Sequence, residues 1–205
     1  MNKNTPLIIL AGGKSSRMGF PKGLLKHNTT FWILSQIKSF VGKEIFIGLG
    51  FDYQLYFDAI PWLQDATQEY FLFKEKKIKV IINPNPEFGL FSTLQSVLKK
   101  VNKNQNILVI PIDVPLLNSI EQEKIILERN YIVIPTYKNK NGHPVKLSSK
   151  FWTPLLKLNV ADENSRLDIQ IKGRNTSEVS FVKTNDASIL QNLNTPIDWK
   201  KFNSV

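Results

Sequence analysis

The sequence contains no cysteine and only two histidines, His27 and His143. Disulfides, zinc–thiolate sites and thiol catalysis are therefore excluded, because each of them needs a cysteine sulfur. So few histidines also disfavour a histidine-rich metal site or a hydrolase that depends on histidine. The chemistry of this chain must therefore rest on its carboxylates, amides, lysines and arginines.

Long hydrophobic runs are also missing from the sequence. No window approaches the roughly 18 apolar residues that a membrane-spanning helix needs. The apolar run at residues 7–11 is too short for the hydrophobic region of a signal peptide and predicts a strand instead. We therefore expect a cytoplasmic protein that does not bind membranes.

Basic residues outnumber acidic ones, and the formal net charge is +10. Lysine and arginine attract phosphates, so one interpretation is nucleic-acid binding. That function needs basic and aromatic residues gathered on one surface. Here the lysines are scattered singly or in pairs, and the aromatics lie mostly in apolar runs. We expect no nucleic-acid binding, and a basic surface also suits a small anionic substrate.

The 205 residues are 42% hydrophobic, which is enough for one domain with a full core. Apolar segments rich in β-branched residues alternate with segments of helical periodicity. The predicted strands are 5–11, 44–49, 79–82, 107–112, 131–135 and 178–183. The predicted helices are 31–41, 93–101, 119–129, 151–158 and 166–171, and residues 51–73 are expected to be helix plus connection. Such alternation predicts a mostly parallel sheet covered on both faces.

A glycine-rich loop follows the first predicted strand and reads Leu-Ala-Gly-Gly-Lys-Ser-Ser-Arg-Met-Gly-Phe-Pro-Lys-Gly-Leu-Leu over residues 10–25. Glycines at such a place let backbone N–H groups approach phosphate oxygens. Lys14, Arg17 and Lys22 add positive charge, and a helix following the loop would add its positive end. The glycine spacing matches neither the P-loop nor the dinucleotide fingerprint. The loop therefore predicts a phosphate site of another kind.

Asp113 ends the fourth predicted strand, in Ile-Asp-Val-Pro. Ligands of parallel sheets bind at the carboxyl ends of the strands. Mg²⁺ often takes only one or two carboxylates together with phosphate oxygens. Asp113 is therefore a candidate magnesium ligand, and a role in a turn or a helix cap is the alternative. Ser92 and Ser119 are candidate N-caps of the helices that follow them.

Residues 10–25 resemble the signature of the MobA-like nucleotidyltransferases, a family that includes molybdenum cofactor guanylyltransferases and cytidylyltransferases. Later motifs recur in the order of that family, so the resemblance covers nearly the whole chain. It implies a three-layer α/β/α fold with a Rossmann-like, mostly parallel sheet of the nucleotide-diphospho-sugar transferase type. It further implies a single domain over 1–205, with a nucleotide-binding half near 1–117 and an acceptor-binding half near 118–205.

The resemblance assigns three catalytic residues. Arg17 would meet the outer phosphates, Lys22 would steady the α-phosphate, and Asp113 would bind the catalytic metal, Mg²⁺ or alternatively Mn²⁺. The residues that would bind the nucleotide are Leu10, Ala11, Gly12, Gly13, Lys22, Gly89 and Asp113.

Three later motifs resemble the acceptor half of the family. They contain His143 in Gly-His-Pro, Arg166 in a segment that lacks the glycines of its relatives, and Asn192 and Asn194 before Thr-Pro. A packed or turn histidine and an exposed helix start are the alternatives for His143 and Arg166. The Thr-Pro pair by itself predicts the start of a helix.

The implied reaction moves a nucleotidyl group from a nucleoside triphosphate to a phosphorylated acceptor and releases pyrophosphate. Gly12-Gly13 favours GTP and a molybdopterin acceptor, whereas Pro21 and His143-Pro144 are similar to the cytidylyl branch, so CTP stays open. A sugar- or polyol-phosphate acceptor is a further alternative, and a non-catalytic nucleotide-binding module a distant one. We expect a monomer or weak homo-oligomer, in transient contact with molybdoenzyme maturation proteins.

Overall fold

Central strands that are apolar along their whole length build this fold, as a sheet covered on both faces requires. The computed structural model describes residues 5–204. Its strands are β1 (Leu7–Ala11), β2 (Lys26–His27), β3 (Thr30–Phe31), β4 (Glu44–Leu49), β5 (Phe71–Phe73), β6 (Lys76–Ile82), β7 (Ile107–Pro111), β8 (Ile132–Tyr137), β9 (Lys140–Asn141), β10 (Val145–Leu147) and β11 (Val179–Lys183). Its α-helices are α1 (Trp32–Ser39), α2 (Tyr53–Ala59), α3 (Trp62–Gln68), α4 (Gly89–Leu98), α5 (Ser119–Leu127), α6 (Ser149–Trp152), α7 (Leu167–Lys172) and α8 (Pro196–Asn203).

One mixed sheet runs through the described residues in the order β11-β8-β10-β7-β1-β4-β6-β5, with β9 paired to β8. The central strand β1 is parallel to β4 on one side and to β7 on the other. Strands β5 and β10 are antiparallel to their neighbours. The carboxyl ends of β1, β4 and β7 therefore lie at one edge of the sheet, where the glycine-rich loop and Asp113 both emerge.

Helices cover the sheet on both faces. Alternate residues of β1 belong to two separate apolar clusters, Leu7 and Ile9 to one and Ile8 and Leu10 to the other. Helices α1, α2, α3 and α5 pack on the first face, and α4 and α6 on the second. The expected three-layer α/β/α fold with a mostly parallel sheet is confirmed.

The segment 51–73 differs most from its prediction. It contains two helices, α2 and α3, and then the edge strand β5, which pairs antiparallel with β6. The prediction missed β5 because a run of three residues shows no usable periodicity. Other predicted strands shift at their ends, whereas β4 matches its predicted residues.

Two predicted helix caps are wrong. The N-cap of α5 is Asn118, whose side chain accepts a hydrogen bond from the Glu121 N–H at 3.1 Å, and Ser119 lies inside the helix. Ser92 is likewise inside α4, because a 3-10 turn over Pro86–Phe88 leads into a helix that begins at Gly89. The helix start predicted at the Thr195-Pro196 pair is confirmed, since α8 begins at Pro196 and Thr195 forms a capping box with Asp198.

Within residues 5–204, no helix combines the length and the apolar character that crossing a membrane requires.

The corrected cap of α5 can be tested with adjacent substitutions. We expect Asn118→Ala to lower the free energy of unfolding by about 1 kcal/mol, because the Glu121 N–H loses its partner. Ser119→Ala leaves that bond in place and should change stability little. Urea unfolding of both variants measures the difference, and a larger loss in Ser119→Ala than in Asn118→Ala would return the cap to Ser119.

Candidate active site

The glycine-rich loop leaves β1 through a glycine that no other residue could replace without a clash. A Cβ built on Gly12 would lie 2.6 Å from Thr93 Oγ1, and one built on Gly50 would lie 2.6 Å from Gly12 O. The Phe51 N–H donates to Gly12 O at 3.2 Å. By contrast, the space around Gly13 is open. Gly12 therefore lets the loops after β1 and β4 and the helix α4 meet closely, and Gly13 is free to face a ligand.

The loop closes on itself at Ser15. Ser15 has a φ of 50° and Gly19 one of 73°. Ser15 O accepts hydrogen bonds from the N–H groups of Met18 at 2.9 Å and Gly19 at 3.1 Å. The Lys22 N–H donates to Ser15 Oγ at 3.4 Å. The turn thereby brings the chain back so that Lys22 stands beside the start of the loop.

The predicted helix 31–41 is present as α1, but it does not begin at the end of the loop. A three-residue 3-10 turn, Lys22–Leu24, follows instead, and then the hairpin β2–β3. So short a turn has no aligned peptide dipoles to offer. Side-chain cations and backbone N–H groups must therefore supply the positive charge that a phosphate would meet here.

Packing against α2 holds the turn that carries Lys22. The Gly23 N–H donates to the Tyr56 hydroxyl at 3.3 Å, and a Cβ on Gly23 would lie 2.7 Å from that oxygen. Burial raises the pKa of Tyr56 above its ordinary value. The hydroxyl therefore stays protonated and works as a fixed neutral acceptor.

Lys22 and Asp113 form an ion pair across the carboxyl ends of β1 and β7. Lys22 Nζ lies 2.8 Å from Asp113 Oδ2, and the two side chains are only 12% and 21% exposed. Lys22 Nζ also donates to Asn194 Oδ1 at 2.7 Å, and Arg17 donates to the same oxygen at 3.2 Å. The structure thus brings together four of the residues singled out in the sequence.

The C-terminal segment supplies Asn194 and is tied down on both sides of it. The Leu193 N–H donates to Asp113 O at 2.8 Å. The N–H groups of Asn194 and Thr195 donate to Asp198 Oδ2 at 3.2 and 2.8 Å. Bonds from the Thr195 hydroxyl and backbone hold the pKa of Asp198 below its usual value. Asp198 therefore keeps its charge and fixes the turn that presents Asn194.

The oxygen donors at this site fit a divalent metal that arrives with phosphates. Asp113 Oδ2 faces Lys22, and no hydrogen bond to Asp113 Oδ1 is present among residues 5–204. In the same part of the chain, no three acidic or histidine residues are grouped to hold a metal by themselves. One carboxylate, with an amide oxygen nearby, is enough for Mg²⁺ or Mn²⁺ when phosphate oxygens complete the coordination.

A cavity of about 580 Å³ opens beside the site, on the face covered by α4. Its floor is apolar and includes Leu10 and Ile134. Gly89, His143 and Arg166 are among its walls and rim. The cavity can therefore hold a ring-bearing molecule against the sheet while polar groups face its mouth.

His143 is the only titratable imidazole that lines this cavity. Burial lowers its pKa, and the charge of Asp113 opposes part of that shift. The imidazole is therefore neutral near pH 7. Arg166, in contrast, is exposed and pairs with Asp168, with Arg166 Nε 3.1 Å from Asp168 Oδ1.

The four residues expected to bind the acceptor lie in different places. His143 and Arg166 line the cavity just described, and Asn194 belongs to the ion-pair network. Asn192 lines a second cavity of about 480 Å³, together with His27 and Phe202. The structure therefore separates Asn192 from His143 and Arg166.

Two residues that contact the backbone around Asp113 were not predicted from the sequence. Trp32 and Gln36 of α1 donate to the carbonyls of Ile112 and Val114, both at 2.6 Å. Both side chains are buried. The available signal was a glutamine on the apolar face of a predicted helix, a position at which a buried amide needs partners.

The structure thus combines three layers around a mostly parallel sheet with a lysine and an aspartate paired beside a glycine-rich loop. The model of one family, the MobA-like NTP transferase domain, matches residues 7–173. This chain belongs to that family.

Individual relatives agree with this assignment. A molybdenum cofactor biosynthesis bifunctional protein from Synechocystis is 28% identical over 97% of this chain, which spans about half (54%) of that relative's length. Rv0371c from Mycobacterium tuberculosis has the same fold, with a TM-score of 0.74, 19% identity and coverage of 98% of this chain and 97% of its own. Molybdopterin-guanine dinucleotide biosynthesis protein A from Archaeoglobus fulgidus also has this fold. Its TM-score is 0.64 and its identity 13%, over 98% of this chain and 97% of its own.

The two neighbouring glycines of the loop offer a matched test of the packing. We expect Gly12→Ala to destabilise the protein by about 1–3 kcal/mol, because its Cβ would overpack Thr93. Gly13→Ala adds a methyl group to open space and should leave the melting temperature near that of the wild type. Thermal unfolding of both variants checks this, and a wild-type melting temperature for Gly12→Ala would contradict the packing argument.

Proposed function

We propose that this chain transfers GMP from GTP to a phosphorylated, molybdopterin-type acceptor and releases pyrophosphate. The observation that carries the proposal is the pairing of Lys22 with Asp113, joined by Arg17 and Asn194 beside the glycine-rich loop. The Synechocystis relative belongs to molybdenum cofactor biosynthesis, and the Archaeoglobus neighbour to molybdopterin-guanine dinucleotide synthesis, which supports this acceptor.

The reaction is a displacement at the α-phosphorus of the triphosphate. An acceptor phosphate oxygen forms a bond to that phosphorus, and the bond to the oxygen of the departing pyrophosphate breaks. Little covalent work falls to the protein, so catalysis consists of positioning and charge stabilisation. No nucleophilic side chain is required.

Lys22 and Arg17 supply the positive charge for this step. Lys22 Nζ already stands between two oxygen acceptors, Asp113 Oδ2 and Asn194 Oδ1. An α-phosphate oxygen of the substrate then accepts a further hydrogen bond from the Lys22 ammonium. Arg17 lies on the exposed side of Asn194 and meets the outer phosphates. Both cations are thus held in place before the triphosphate binds.

A divalent metal, Mg²⁺ or Mn²⁺, would be held by Asp113. When bound, it neutralises phosphate charge. A structure of the mycobacterial relative Rv0371c contains manganese, which supports metal use in this fold.

The cavity beside Asp113 is our candidate for the acceptor site. Its apolar floor suits a ring system. Arg166 and Lys172 at its rim share the partner Asp168, which leaves one net positive charge for a phosphate. Neutral His143 can accept or donate a hydrogen bond there without adding charge. We further propose that the enzyme acts in the cytoplasm as a monomer or weak homo-oligomer, with transient contacts to molybdoenzyme maturation proteins.

CTP is the second candidate for the donor. Pro21 before Lys22 and Pro144 after His143 are similar to the cytidylyl branch of the family, and His143 lines the proposed acceptor cavity. The glycine pair Gly12-Gly13 favours GTP.

A thermal-shift panel of GTP, CTP, ATP and UTP with Mg²⁺ decides between these donors. A ligand that binds only the native state raises the melting temperature in step with its binding free energy. We expect GTP to give the largest shift. A larger shift with CTP would reassign the donor, and no shift with any triphosphate would contradict nucleotide binding itself.

Removal of either charge at the centre of the site should abolish most of the activity. We expect Lys22→Ala and Asp113→Asn each to lower kcat/KM for the triphosphate more than about a hundredfold, equivalent to about 3 kcal/mol of transition-state stabilisation. The exposed Lys26→Ala serves as the matched control and should keep wild-type kinetics. Pyrophosphate release measures all three, and full activity of both site variants would refute the mechanism.

A further inference from the structure

Three consecutive carbonyls around Asp113 are each fixed by a different donor. Ile112 O accepts from Trp32 Nε1 at 2.6 Å, Asp113 O from the Leu193 N–H at 2.8 Å, and Val114 O from Gln36 Nε2 at 2.6 Å. The backbone that carries the carboxylate is therefore held on all sides. Two of these three donors are side chains of the single helix α1.

Gln36 makes the more specific contact of the two. Its amide nitrogen donates to Val114 O, and its Oε1 accepts from the Leu116 N–H at 3.0 Å. The side chain is 2% exposed, on the apolar face that α1 turns toward the sheet. The Gln36 amide thus bridges two backbone groups, Val114 O and the Leu116 N–H, in the segment that directly follows Asp113.

Trp32 extends the same support to the other half of the ion pair. The Trp32 backbone N–H donates to Leu25 O at 2.8 Å, at the end of the turn that begins with Lys22. Residues four apart on a helix lie on one face, so Trp32 and Gln36 present a common surface. Helix α1 therefore contacts the end of the turn that begins with Lys22 and the backbone next to Asp113.

We propose that Gln36 is a positioning residue that sets the direction of the Asp113 carboxylate. This inference rests on the proposed function, in which Asp113 holds the metal. By bridging Val114 O and the Leu116 N–H, Gln36 fixes the peptide plane that follows Val114, next to the two planes that flank Asp113. It therefore holds the chain that leaves Asp113 in one direction. A reacting group misplaced by about 1 Å can cost a hundredfold in rate.

No other residue type supplies both bonds equally. A leucine has a similar volume but would leave Val114 O and the Leu116 N–H buried without partners. A methionine keeps the length of the side chain and likewise supplies neither the donor nor the acceptor. Both changes therefore remove the bridge.

The test compares Gln36→Leu with Gln95→Leu. Gln95 of α4 is also buried, at 7% exposure, and its amide donates to Leu155 O and Leu158 O at 3.2 and 2.8 Å, away from Asp113. Each variant is saturated with a non-hydrolysable GTP analogue, or the CTP analogue if CTP wins the thermal-shift panel. Bound Mn²⁺ is then measured by electron paramagnetic resonance, together with kcat, KM and the melting temperature.

We expect Gln36→Leu to weaken Mn²⁺ affinity at least tenfold and to lower kcat with little change in the KM of the triphosphate. Gln95→Leu should lose a similar amount of thermal stability and keep wild-type Mn²⁺ affinity. Equal Mn²⁺ affinity and kcat in the two variants would overturn the inference. Should Gln36→Leu fail to fold, Gln36→Met takes its place, and wild-type Mn²⁺ affinity there would overturn it equally.

The variant Asp113→Asn distinguishes a failure of the Gln36 inference from a failure of the proposed metal site at Asp113. Loss of Mn²⁺ binding in Asp113→Asn, with wild-type binding in the Gln36 variants, refutes only the role of Gln36. Wild-type Mn²⁺ binding in Asp113→Asn refutes the metal site and the inference that rests on it.

Discussion

The ion pair between Lys22 and Asp113 joins three distant parts of the chain. It links the loop after β1 to the end of β7, and Asn194 adds the C-terminal segment by accepting from Lys22. Partial burial of two charges costs desolvation energy, which their attraction offsets only when geometry and further hydrogen bonds are good. The turn at Ser15, the capping box at Thr195 and the helix α1 supply that geometry. Much of the architecture at this edge of the sheet serves to hold the pair.

The sequence predicted the layers of the fold because strand and helix periodicities are local. Strand β4 has its predicted bounds, and Lys22 and Asp113 came from motifs that follow strands. Contacts between remote segments carry no such local signal. The partners of Gln36 and the packing of Thr93 on Gly12 depend on how α1 and α4 meet the sheet. The helix predicted at 31–41 is present as α1, whereas the short turn and hairpin between it and the loop are too brief to show a period.

The division of the expected acceptor residues between two cavities follows from the topology. The C-terminal segment crosses the end of β7 on the face of α1, whereas His143 and Arg166 belong to segments on the face of α4. Asn194 therefore stands at the boundary, and Asn192 falls on the far side of it. Proximity in a motif does not place two residues on the same side of a sheet.

The close approach of Thr93 to the loops after β1 and β4 also constrains how this sequence can change over generations. A Cβ on Gly12 would lie 2.6 Å from Thr93 Oγ1, and one on Gly48 would lie 2.7 Å from Thr93 Cγ2. A substitution at position 12, 48 or 93 therefore affects which residues the other two positions can accommodate. Replacement of either glycine requires a smaller residue at position 93, and replacement of Gly48 also requires Val97 to shift, since its Cγ2 would lie 3.0 Å from the new Cβ. Divergent copies of this protein should carry correlated changes at positions 12, 48 and 93.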